Sequence, residues 1–175
     1  MMSYEVHGLR VSSSAVREAL NQGRMDDAAA LLGRPYSISG HVVHGRKLGR
    51  ELGRDANRPD GFRTLNLRFA HWKPAASGIF AVRVHGLGLP LAGVANLGIR
   101  PSLDPQDVNG GRVLLETHCL DWPATLGPEG AYGKIIRVEL LHKLHDERKY
   151  DSLEALTEGI ARDCDDARAW FAARI

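Results

Sequence analysis

Gly61-Phe62-Arg63-Thr64-Leu65-Asn66-Leu67-Arg68-Phe69 (GFRTLNLRF) has the alternation of an extended strand. One set of its positions, Thr64 and Asn66, is short and polar, and side chains two apart on a strand project to one face. Two readings fit the pair. It is an outward polar face, or its oxygens converge on one point, where a hydroxyl and a carboxamide suit magnesium carrying phosphates.

The strand opens a long β region. From Ser37 onward, Gly40–Val43, Leu65–Phe69, Ile79–His85, Leu91–Asn96, Val113–Leu120 and Ile135–Leu141 are short apolar or alternating runs divided by Gly, Pro, Asn and Asp. That texture predicts a mainly β sandwich or small barrel of about six strands. The C-terminus reads as a helix capped by Asp151 or Ser152, with Glu154 as capping-box partner of Asp151. Its stripe of Leu153, Leu156, Ile160, Cys164, Ala167 and Phe171 suits packing on a barrel wall. Ahead of the β region, Ser12–Ser14 offers a cap for a helix through Leu20 that stops at Asn21–Gly23. Asp26 offers a cap for a second helix through Ala28–Leu32, ended by Gly33 and Pro35. Two such helices bury too little to fold alone, so residues 1–36 read as an appendage or the tail of another domain.

At 175 residues and 43% hydrophobic content, the chain has enough material for one ordinary core. A net charge of +2 gives no whole-protein field for nucleic acid. Cys119 and Cys164, the two cysteines, each sit in an apolar run and read as buried thiols rather than a disulfide frame. No run approaches the roughly 18 apolar residues of a membrane span, and no signal-peptide pattern opens the chain. The expected compartment is the cytoplasm.

Two further features carry chemistry. His41 to Arg63 holds Gly45, Gly49, Gly53 and Gly61 among six basic and three acidic side chains, Arg50 among the former. It is a solvated loop, or one whose N–H groups and guanidinium forks cradle phosphate. Glu116, in Val113–Leu120 (VLLETHCL), places a carboxylate mid-strand in apolar company, a costly position if it faces the core. It is an edge residue facing water, or it is kept for proton abstraction, with His118 on the same face. Other signals fail. GPEGAYGK (Gly127–Lys134) misses a Walker spacing by one residue and is followed by Ile135, not Ser or Thr. His41/His44 and His142/His145 lack companion ligands at metal-site spacing.

Four segments, in order, resemble the riboflavin kinase module of the bacterial bifunctional riboflavin kinase/FAD synthetase family. They are Phe62–Asn66 (FRTLN), Gly93–Pro101 (GVANLGIRP), Leu115–His118 (LETH) and Asp146–Glu154 (DERKYDSLE). Val11–Arg17 looks like the end of that family's adenylyltransferase domain, and Leu31–Tyr36 like the linker after it. The resemblance implies a six-stranded Greek-key riboflavin-kinase-like barrel over residues 37–175, with a C-terminal helix. It implies that residues 1–36 are a remnant of an adenylyltransferase domain whose body precedes it in the full-length protein, so that this chain does not form FAD.

The resemblance also implies ATP and riboflavin as substrates and magnesium as cofactor, bound at Thr64 and Asn66. Gly45 and Arg50 would lie beside the nucleotide, and Glu116 would take the proton of the ribityl 5′-hydroxyl. The flavin would rest near His145, Arg148 and Tyr150, under a loop holding Arg100. Neither nucleic acid nor membrane is an expected partner. Three departures stand out: about eight extra residues at Arg54–Gly61, Arg63 in place of proline, and His145 in place of arginine. The first two keep open a non-catalytic flavin-binding module of the same fold.

Overall fold

The computed structural model describes residues 13–43, 63–68, 74–98, 113–127 and 129–174, together with the backbone of 5–6, 9–10, 99–100 and 112. The elements run β1 (Glu5–Val6), β2 (Leu9–Arg10), α1 (Ser13–Asn21), α2 (Met25–Leu32), β3 (Ser37–Val43), β4 (Leu65–Arg68), β5 (Gly78–His85), β6 (Leu91–Arg100), β7 (Arg112–Cys119), β8 (Ile135–His145) and α3 (Leu153–Ala172). β1 and β2 form a small antiparallel ribbon, while β3 to β8 close into a barrel in the order β3-β4-β7-β6-β5-β8. Every pairing is antiparallel. β5, β6 and β7 form a meander, and the connections from β4 to β5 and β7 to β8 pass to non-neighbours, as in a Greek key. Each of the six predicted runs is a barrel strand.

β5 shows how the wall is built. Phe80, Val82 and Val84 point inward and are fully buried, while Ile79 and Ala81 point outward beneath α3. The run is therefore apolar on both faces until Arg83, which is exposed and lies over the Phe171 ring of α3. The helix lays Ile160, Cys164, Ala167 and Phe171 on this outer patch, together with Val94. Leu153 is 58% exposed, so the predicted stripe overreaches by its first member. Ser152, not Asp151, is the cap: its hydroxyl accepts from Ala155 N at 3.1 Å. Glu154 then sits one place too early for a capping box.

β8 outruns its predicted end at Leu141 because it is twice irregular. Its register against β5 shifts between Ile79 and Phe80 and again between Ala81 and Val82. Each shift inserts one extra β8 residue, so His142 opposes Ala81 and His145 opposes Ile79. Both histidines thus share the outer face despite an odd separation. His142 stacks on Trp170 of α3 at 5.5 Å. Burial lowers its pKa, as does Arg174, and Asp26 opposes them.

The N-terminal helices join the barrel core through Ala19, Leu20, Met25 and Ala28. Burying Leu20, 4% exposed, contributes ~1.5–3 kcal/mol. α2 begins at Met25, so Asp26 falls inside its first turn rather than at the cap, and the Arg24 guanidinium reaches Asp27 at 2.7 Å. Gly33, at φ 77°, ends it in the left-handed region that favours glycine. Cys119 and Cys164 are buried free thiols in separate apolar clusters. No helix among the described residues is long and apolar enough to cross a membrane.

Candidate active site

Strand register assembles the site. Asn66 of β4 lies opposite Glu116 of β7, and Glu116 lies opposite Asn96 of β6. Directly opposed residues share a face, with Cβ atoms ~4.5–5.5 Å apart. Their chain neighbours Leu65, Leu67, Leu115 and Leu97 fill the barrel interior, so the three polar groups stand on the outer wall. The level continues, because Asn96 opposes Ile79 and Ile79 opposes His145. One belt therefore carries Asn66, Glu116, Asn96, Ile79 and His145.

The belt corrects one part of the reading of Glu116, which stands half-buried on the outer wall. Strand β7 is flanked on both sides within a closed barrel, so its carboxylate is no edge residue. Asn66 is itself buried at 9% exposure, and the Asn96 Oδ1 is buried with no hydrogen-bond partner among the described residues. An orphaned buried acceptor costs about 1–3 kcal/mol. The Thr64 hydroxyl, the Asn66 amide oxygen and the Glu116 carboxylate are, like the Asn96 Oδ1, hard oxygen donors, the chemistry that suits a hard cation and a hydroxylated substrate.

Thr64 lies half-buried just before β4. The carbonyl of its neighbour Arg63 accepts from His118 Nδ1 at 2.7 Å. The Arg63 guanidinium lies 5.7 Å from the Trp122 ring centroid and 5.8 Å from that of Tyr132. Both rings pack against the interior core.

At the far end of the belt, His145 Nε2 meets Asp163 Oδ1 of α3 at 2.6 Å, and Nδ1 meets the Asp146 carbonyl at 2.6 Å. Both partners are acceptors, satisfied together when both ring nitrogens carry protons. His145 thus fastens strand to helix. The Lys143 ammonium, 2.6 Å from Asp146, donates to that carboxyl and holds it below its usual range. Two glycines admit side chains from the segment between β8 and α3. The Glu147 carboxylate lies where a Cβ on Gly98 would stand, and the Tyr150 ring and hydroxyl lie where one on Gly159 would stand. Arg148 is exposed.

The structure thus unites Asn66 and Glu116 on one level, sets Thr64 at the head of β4, and places His145 on the same belt. Gly45, Arg50 and the Arg54–Gly61 segment lie outside the described residues, and Arg100 is described by backbone alone, opposite Arg112. Sequence reasoning quoted Asn96 without singling it out. Its signal was available, since a carboxamide between Ala95 and Leu97 in an apolar strand is the same anomaly as Asn66.

Known proteins supply the remaining observation. A family model described as riboflavin kinase (Flavokinase) matches residues 32–171. The chain belongs to the riboflavin kinase family. It is 42% identical over 165 residues to the bifunctional riboflavin kinase/FMN adenylyltransferase of Escherichia coli K12, covering 94% of this chain and 47% of that protein. The protein of the same name in Haemophilus influenzae is 37% identical, covering 97% and 49%. That of Bacillus subtilis is 31% identical, covering 93% and 47%. The chain spans about half the length of these curated relatives. Among solved structures, a Streptococcus pneumoniae protein named macrolide-efflux protein superposes with a TM-score of 0.76 at 26% identity, covering 96% of this riboflavin kinase family chain and 50% of that one.

Proposed function

We propose that this chain transfers the γ-phosphate of ATP to the ribityl 5′-hydroxyl of riboflavin, giving FMN and ADP. The observation that carries the reading is the carboxylate of Glu116 held between two carboxamides on one level of a closed barrel. A carboxylate so placed, inside a family match over residues 32–171, supports the role of general base. Glu116 takes the hydroxyl proton as the oxygen bonds to the γ-phosphorus, and the bond to the bridging oxygen of ADP breaks. Such a base contributes about 10²–10⁴-fold.

Thr64 and Asn66 would hold magnesium, whose charge, when bound, offsets the negative charge spread over the phosphoryl oxygens. The Asn96 oxygen, unpaired among the described residues, accepts from a neighbouring hydroxyl of the ribityl chain, which sets the 5′-hydroxyl beside Glu116. Gly45 and Arg50 lie beside the nucleotide. The flavin ring rests on the Arg148–Tyr150 segment, with Arg100, at the end of β6, above it and His145 fixing the strand end beneath. Residues 37–175 then form the kinase domain of a cytoplasmic protein, and residues 1–36 link it to an adenylyltransferase domain in the full-length chain.

Incubation with riboflavin and Mg-ATP, followed by chromatography, tests the reading. FMN and ADP should appear in equal amounts. Flavin binding without FMN at saturating Mg-ATP would overturn it.

A further inference from the structure

Thr64 precedes the ladder. The pairing of β4 with β7 starts at Leu65 opposite Thr117, so no strand register fixes the residue before it. Two anchors act on Arg63 instead. Its carbonyl accepts from His118 Nδ1 at 2.7 Å, a bond spanning 55 residues of sequence. Its guanidinium is set against Trp122 and Tyr132. Trp122 is itself tied down, its indole donating to the Gly127 carbonyl at 2.9 Å.

We infer that His118 is a positioning residue: by holding the Arg63 carbonyl it fixes the backbone that presents Thr64, and so sets the affinity for a magnesium-bound nucleotide. The inference rests on the proposed function for the identity of that ligand. His118 lies two residues from Glu116 on the same face of β7, so one strand carries both the base and the fastener of the opposite strand. The peptide joining Arg63 to Thr64 is clasped at its oxygen, and rotation of that peptide would re-aim the Thr64 side chain relative to Asn66. The aromatic clamp alone leaves that rotation open, because it grips the side chain and not the peptide. A carbonyl cannot donate, so Nδ1 must carry the proton.

Three variants separate this role from simple packing. In His118→Asn the amide nitrogen falls near the place of Nδ1 and keeps the donor. In His118→Gln the donor moves toward the place of Nε2, and His118→Phe removes it. Titration calorimetry with Mg-ADP, and separately with riboflavin, reads the result, with circular dichroism confirming the fold of each variant. Losing one such bond should weaken Mg-ADP binding about tenfold in the Phe and Gln variants and about twofold or less in Asn, with riboflavin affinity unmoved in all three. If His118→Phe does not fold, the Asn and Gln pair carries the comparison. If neither folds, the imidazole ¹⁵N spectrum of the wild type decides, and an Nδ1 without a proton overturns the inference.

Equal Mg-ADP affinity across the variants, in a chain that makes FMN, overturns the positioning role and leaves the function standing. A wild-type chain that binds Mg-ADP with the expected ranking but makes no FMN leaves the positioning role and removes the function. One that neither binds Mg-ADP nor makes FMN removes both.

Discussion

Glu116 and Asn66 face each other across β7 and β4, and Asn96 faces Glu116 from the other side. A glutamine at position 116 keeps the side-chain shape beside two amides while deleting the base. Glu116→Gln should therefore lower kcat by about 10²–10⁴-fold with riboflavin and Mg-ADP affinities close to wild type. Single-turnover FMN formation measures it, and undiminished turnover would take Glu116 out of the base role.

Gly159 is the seat of Tyr150, whose ring and hydroxyl occupy the space of a side chain there. Gly159→Ala adds about 1 kcal/mol of helix propensity yet displaces the tyrosine. Flavin affinity, followed by fluorescence quenching, should fall several-fold, while thermal stability changes little. Unaltered affinity would show that Tyr150 does not support the ring.

His145 and Asp163 leave 12% and 11% of their side-chain surfaces exposed and join β8 to α3. Removing the imidazole strands a buried carboxylate, so His145→Ala should cost about 3–5 kcal/mol. The double variant with Asp163→Asn should recover part of that loss, because no charge is then left unpaired. Urea unfolding of the single and double variants gives the comparison; additive losses would mean that the pair is not coupled.

Burial pushes the Cys119 thiol up to about 12. The unfolded chain loses this proton near the ordinary value of 9.0 and the folded chain keeps it. Its contribution is intact below that value and is lost as pH rises from there toward the folded pKa. At its steepest the loss approaches about 1.4 kcal/mol per pH unit. The raised Tyr36 hydroxyl has the same sign from its ordinary 10.0 upward. Denaturant midpoints across alkaline pH should show a shallower decline in Cys119→Ala than in wild type. Native Cys119 should also resist alkylation until the barrel opens.

The sequence carried the barrel well, because β strands with one face in the core announce themselves by alternation. Leu65 and Leu67 against Asn66 are an example. What it did not carry depends on which residues meet. That Asn96 faces Glu116 became visible only once β6 lay beside β7. Asp163 looked like one of several acids on α3 until it faced His145. The sequence left the cap of α3 between Asp151 and Ser152, and Ser152 takes it because its hydroxyl reaches Ala155. The cap of α2 was misplaced at Asp26, since the helix starts at Met25 after Arg24, which makes no side-chain cap bond.

Strand β8 holds two residues more than its partner needs. Loss of either would restore regular pairing at that point and leave the later side chains in phase, with His142 still opposite Ala81 and His145 still opposite Ile79. The two bulges therefore act on shape rather than on phase: they bend the stretch of β8 that brings His142 to Trp170 and His145 to Asp163.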